Sequence, residues 1–137
     1  MMKKLIQIKE LEKCPCFNLR KMARELTNDY NNSLKYSGIN STQIPILALL
    51  NIYDQLETSK IATLLNLEIS SIRRNLSILI KKRLIIVVKK DKNGNLLALT
   101  NEGYIKLKET LPVWRKSHNK GIQKIKVFFK ILKKFLN

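Results

Sequence analysis

The sequence predicts a mainly α-helical chain with one small β-hairpin set inside the helical series. Three observations lead there. Apolar residues recur at three-to-four spacing over most of the 137 residues, the period of amphipathic helices. One β-branched run, Leu84-Ile-Ile-Val-Val-Lys89, breaks that period and favours strand. Asp91-Lys-Asn-Gly94 follows with hairpin-turn chemistry, because Asn93-Gly94 readily takes positive φ, and Asn95-Leu-Leu-Ala-Leu-Thr100 returns as the second strand. At 45% hydrophobic and 27% charged, the chain has the composition of one that folds around its own core. Its length suits one domain.

Each element has its own signals. Leu5, Ile8 and Leu11 outline a short amphipathic helix over residues 3–13. After Cys14-Pro15-Cys16, the residues Leu19, Ala23, Leu26, Tyr30 and Leu34 define a long helix running to Gly38, a natural helix-terminating residue. Ser41-Thr42 offers the next N-cap and Pro45 fits a first helical turn, ahead of Ile46, Leu47, Leu49, Leu50 and Tyr53. A third helix begins at Thr58-Ser59 with Ile61, Ala62, Leu64 and Leu65 inward. It stops at Asn66, which tolerates the left-handed conformation of a tight turn. A fourth helix spans about 69–83, the hairpin about 84–100, and Thr100 caps a last helical region reaching Asn137, interrupted at most by Pro112 and Gly121. Helix, helix, helix-turn-helix, hairpin, helix is the winged helix-turn-helix order.

The fourth helix carries the functional signal. At about 100° per residue, Ile69, Ile72, Leu76, Leu79 and Ile80 fall on one arc, which should be buried. Ser70, Arg74, Ser77 and Lys81 form a stripe on the other side, with Arg73 at its margin. Small hydroxyls beside arginines suit a helix in a DNA major groove, where Arg pairs with guanine and Asn75 matches adenine. Specificity is therefore expected from Ser70, Ser71, Arg73, Arg74, Asn75 and Ser77. Phosphate contacts are expected from Ser59, Lys60, Lys81 and Lys82, and from the hairpin tip, where Lys89, Lys90 and Lys92 surround Asn93.

Lys and Arg total 27 against 10 acids, a net charge of +17, which attracts polyanions. Double-stranded DNA is the leading partner, with an anionic membrane second. The joint richness in Lys, Asn and Ile also matches the residue usage of an AT-rich genome, so the placement of charge says more than its sum. No nucleophile, base and oxyanion set is recognisable, and no Gly-rich phosphate loop. His118 lacks companions at ligand spacing, so neither enzyme chemistry nor a metal or cofactor is expected. No run of about eighteen apolar residues occurs and the N-terminus lacks a clean signal core, so a cytoplasmic location is expected.

Together these segments resemble the MarR family of winged helix-turn-helix transcriptional regulators over nearly the whole chain. The carriers are Cys14-Pro-Cys-Phe-Asn-Leu-Arg20, Gly38-Ile-Asn-Ser-Thr-Gln43, Ile61-Ala-Thr-Leu-Leu-Asn-Leu67, Arg74-Asn-Leu76 and Leu99-Thr-Asn-Glu-Gly103, with Leu111-Pro-Val-Trp114 similar to a subgroup signature. The resemblance implies a single MarR-like unit over 1–137, with residues 1–37 and 101–137 as dimerisation helices and 41–100 as the DNA-binding lobe. It further implies a homodimer, two recognition helices on successive major grooves of a pseudopalindromic operator, and control by a small-molecule effector or thiol oxidation. The chain departs from the family pattern at Lys92-Asn93-Gly94-Asn95, where an arginine often follows the wing Asp, at Ile69, often arginine, and at Asn66, usually glycine.

Two features remain. Ile122, Ile125, Phe128, Phe129, Leu132, Phe135 and Leu136 share an arc opposite Lys126, Lys130, Lys133 and Lys134. So wide an apolar face needs a cover, either a dimer interface with the first long helix or an anionic membrane, and the architecture favours the dimer. Cys14 and Cys16 are candidate redox residues, although one intervening proline makes a relaxed disulfide between them difficult and packing at the helix start is the plainer role. The expected function is a sequence-specific DNA-binding repressor. The alternative is a basic architectural protein that coats DNA without regard to sequence.

Overall fold

The computed structural model describes residues 1–92 and 94–136; Asn93, expected at the wing tip, and the side chain of Leu136 lie outside the described residues. The elements are α1 (Ile8–Glu12), α2 (Pro15–Leu34), α3 (Ile44–Tyr53), β1 (Gln55–Glu57), α4 (Thr58–Leu65), α5 (Ile69–Lys81), β2 (Ile85–Asp91), β3 (Gly94–Leu99) and α6 (Asn101–Leu136). They divide into two compact units, residues 34–113 and residues 1–33 with 114–137. The first unit is wider than the expected 41–100 lobe at both ends.

The 34–113 unit has its core where the apolar periods of α3, α4 and α5 converge. Ile44, Ile46, Leu47, Leu50, Ile61, Ile72, Leu79, Ile85 and Leu97 are almost wholly buried, each such side chain stabilising the fold by about 1.5–3 kcal/mol relative to exposure. Leu34, Ile39 and Leu107, outside the expected lobe, are buried as well. The sheet is three-stranded, in the order β1-β3-β2, all antiparallel. β1 went unanticipated: three residues between two helices carry no readable period, and Leu56 alone is buried. A bulge between Val87 and Lys89 lets Lys89 pair with Leu96 and Lys90 with Asn95.

Several boundaries correct the sequence reading. α1 covers only Ile8–Glu12 of the expected 3–13 and buries nothing. α2 ends at Leu34, and Gly38 takes its positive φ of 79° in the following turn instead of closing the helix. The cap of α3 is Asn40, not Ser41-Thr42: its Oδ1 accepts the Thr42 and Gln43 N–H groups at 3.0 and 3.1 Å, and Gln43 Oε1 accepts the Asn40 N–H at 3.1 Å. That reciprocal pair is a capping box. Leu64, Ile69 and Ile80, expected inside, are 40%, 37% and 38% exposed. In α6 neither Pro112 nor Gly121 interrupts the 36-residue helix.

In the other unit α2 packs on the later part of α6. The two helices meet at Gly121, where a Cβ would lie 3.4 Å from the Tyr30 hydroxyl, an ordinary contact. The His118 ring stands edge-on to Trp114 at 4.3 Å and 6.1 Å from Tyr30, whose phenol burial pushes above its ordinary pKa of 10. Lys124 pairs with Asp29. A groove of about 470 Å³ runs beside them, lined by Met22, Val127, Phe128, Leu132 and Phe135 among others. No described helix is long and apolar enough to cross a membrane.

Candidate nucleic-acid interface

Two left-handed residues shape the helix-turn-helix and its exit. Asn66 takes φ 51°, as expected, while the Leu67 N–H reaches the Ala62 carbonyl and the Asn66 N–H that of Thr63. This Schellman arrangement satisfies the last carbonyls of α4 and turns the chain into α5. The motif recurs after α5. Lys82 is the C-cap and Arg83, at φ 59°, the left-handed residue, with Leu84 N–H on the Leu79 carbonyl and Arg83 N–H on that of Ile80. The helix therefore stops at Lys81, two residues short of the expected end, and β2 starts at once.

The wing is anchored at its root and near its tip. Thr100 Oγ1 donates to the Arg83 carbonyl at 2.6 Å and accepts the Gly103 N–H at 2.9 Å, which caps α6 as expected. Gly103 lies so close to that junction that a Cβ would be 1.9 Å from the Leu84 carbonyl oxygen. Near the tip Thr58, buried at the start of α4, donates to the Asn95 carbonyl at 3.2 Å, and β1 pairs with β3 between the two anchors.

On α5, Ile72, Leu76 and Leu79 face the core. Ser70, Arg74, Ser77 and Lys81 are all exposed, as are Ser71 and Arg73. The structure thus leaves the hydroxyl and cation stripe facing solvent. Two of the candidates are engaged within the unit. Asn75 is half-buried, its Nδ2 donating to the Ser71 carbonyl at 3.3 Å and its Oδ1 lying 3.4 Å from Thr42 Oγ1. Lys82 donates its ammonium to the Gly38 carbonyl. Both tie α5 to the segment before α3, a link that side-chain type alone does not reveal.

Lys60, Lys89, Lys90 and Lys92 are exposed, and Ser59 is half-buried at the start of α4. Between α5 and the wing lies a cleft of about 530 Å³, which brings Arg73, Ser77 and Lys81 together with Lys92 and Asp91. Asp91 Oδ1 accepts the Lys92 N–H at 2.5 Å. Thr58 and Asp91, expected as a helix start and a hairpin-turn residue and not as site residues, line the cleft as well. Cys14 and Cys16 belong to the other unit, at the start of α2, where both are free thiols, Cys14 half-buried and Cys16 exposed. Among the described residues no group of three His, Cys, Asp or Glu side chains could hold a metal ion.

The fold recurs in solved structures. The transcriptional regulator MosR of M. tuberculosis is 27% identical with a TM-score of 0.73, over 80% of this chain and 81% of that one. Its complex with DNA matches at 28% and 0.71, over 78% and 79%. A mutant MarR of E. coli, complexed with operator DNA, matches at 19% and 0.73, over 98% of this chain and 100% of that one. The chain has the MarR winged-helix fold. Neither a family model nor a curated protein matches by sequence. In that fold α4 and α5 form the helix-turn-helix, α5 being the helix expected to act as recognition helix, and β2-β3 form the wing.

Proposed function

We propose that this MarR-like protein is a sequence-specific double-stranded DNA-binding transcriptional regulator, acting as a homodimeric repressor on a pseudopalindromic operator. The observation that carries the reading is the stripe Ser70, Arg74, Ser77 and Lys81, solvent-facing along the recognition helix beside a wing bearing Lys89, Lys90 and Lys92. Structures of similar fold solved with DNA, the MosR complex above all, support it. Ser70, Ser71, Arg74 and Ser77 would meet base edges, the hydroxyls allowing close approach and Arg74 pairing with guanine. Lys60, Lys81 and the wing lysines would hold phosphates, with Ser59 at the start of α4. Asn75 and Lys82, engaged by Thr42, Ser71 and Gly38, are better suited to orienting the helix than to reading DNA.

Control by a small-molecule effector or by thiol oxidation belongs to the same proposal. For the thiols, peroxide treatment should lower operator affinity in the wild type and leave the Cys14→Ser, Cys16→Ser double variant unchanged; an unaffected wild type removes that route.

The deciding experiment is fluorescence anisotropy on a duplex selected by the protein from a randomised pool, against a shuffled duplex, across a salt series. A preference of roughly a thousandfold at physiological salt is expected. Arg74→Ala should cost about 1–3 kcal/mol on the selected duplex and little on the shuffled one. Equal affinity for both duplexes, falling together with salt, would instead assign the protein to sequence-indifferent architectural binding, which its net charge of +17 would serve.

A further inference from the structure

The cleft between the recognition helix and the wing collects three cations, Arg73, Lys81 and Lys92, and the Ser77 hydroxyl against the single carboxylate of Asp91. Leu76 and Leu97, which are 5% and 0% exposed, lie beneath a lining that is mostly polar. The cleft is also prebuilt. Thr58 holds Asn95 near the tip of the wing, a Cβ on Gly94 would lie 3.4 Å from that of Thr58, and β1, just before Thr58, pairs with β3. Its volume of about 530 Å³ accommodates one phosphodiester with several waters of roughly 30 Å³ each.

Given the proposed reading as a DNA-binding protein, on which this inference rests, we infer that the cleft clamps one strand of the duplex by a backbone phosphate and that Arg73 is a phosphate residue, not a base reader. Duplex geometry supports this. When a helix enters a major groove and the hairpin beside it reaches the adjacent minor groove, the sugar-phosphate backbone separating the two grooves passes between them. Arg73 lines that cleft beside the wing, whereas Arg74, one residue on, is absent from its lining and exposed. A guanidinium binds phosphate oxygens in a bidentate fork. Consecutive arginines on one helix thereby divide the work: Arg74 discriminates among sequences and Arg73 fixes the register of the helix against one strand. Asp91 turns the wing tip through its bond to the Lys92 N–H and limits the anionic attraction of the cleft.

The test measures salt dependence and neutral-linkage scanning on the full chain, with the selected and shuffled duplexes. Arg73→Ala should weaken binding by roughly tenfold on both, and the slope of log affinity against log salt should fall by about 0.9 for each phosphate lost. Arg73→Lys should restore most of the slope. A methylphosphonate at the clamped position should weaken the wild type and leave Arg73→Ala unchanged, while Arg74→Ala remains sensitive to it. Loss confined to the selected duplex, or an unchanged slope, overturns the inference and makes Arg73 a base reader. Replacing chloride by inorganic phosphate at constant ionic strength should not displace DNA; displacement abolished by Arg73→Ala would assign the cleft to a free phosphate instead. A wild type that binds neither duplex overturns the reading as a DNA-binding protein itself, a result distinct from the failure of the clamp alone.

Discussion

Arg83 holds a φ of 59° at the exit of the recognition helix, where its N–H closes one bond of the Schellman motif. A left-handed backbone costs a residue with a Cβ about 1–2 kcal/mol, and glycine avoids most of that while losing more freedom on folding. Arg83→Gly should therefore stabilise the protein by about 0.5–1 kcal/mol, read as a higher denaturant midpoint at unchanged m-value. Gly103 is the opposite case. With a Cβ placed 1.9 Å from the Leu84 carbonyl oxygen, Gly103→Ala forces the first turn of α6 away from the wing root. A loss of about 1–3 kcal/mol is expected, as for other overpacked sites, with Gly103→Ser no better. Gly103 was legible as part of Leu99-Thr-Asn-Glu-Gly103, but the steric reason depends on where Leu84 comes to lie. Arg83 carried no such signal, since arginine is not a turn residue.

Among the elements, α3 shows how a cap can serve more than its own helix. Asn40 and Gln43 satisfy each other's N–H groups, and Thr42 beside them lies against Asn75 of the recognition helix. Asn40→Ala should destabilise by about 1 kcal/mol, the ordinary value of a lost N-cap, measured by chemical unfolding. Asn40→Ser or Asn40→Asp should recover most of it. The expected cap at Ser41-Thr42 was off by one or two residues because Ser, Thr and Asn are all good caps, and only the position of the backbone N–H groups selects among them. The strands illustrate the complementary limit. β2 and β3 announced themselves by β-branched composition and an Asn-Gly turn, whereas β1 exists because β3 offers it an edge.

At the largest scale the apolar surface of the 1–33 and 114–137 unit demands a cover. Ile122, Val127, Phe129, Ile131 and Phe135 are each 46–57% exposed, and Leu5 and Ile8 more so. Large exposed apolar patches mark association sites, in keeping with the homodimer proposed above. The paired change Ile122→Lys, Phe129→Lys should convert a dimer to a monomer in sedimentation. The melting temperature, which rises with protein concentration for a dimer, should then no longer depend on it. A wild type that sediments as a monomer at all concentrations would count against homodimerisation and, with it, against a pseudopalindromic operator.

Local sequence sufficed for the order of the helices and the hairpin, the turn at Asn66, the Thr100 cap and the face of α5 that carries hydroxyls and cations. Period, propensity and turn chemistry act over a few residues, so they can be read without knowing what lies across the fold. Packing between distant segments was needed to establish that Asn75 and Lys82 bond to the segment before α3, that Ile69 and Ile80 remain at the surface, that a third strand joins the sheet, and that Arg73 shares a cleft with the wing while Arg74 does not. Each of these depends on a partner remote in the chain, and a helical period fixes the direction of a side chain without fixing what it meets there.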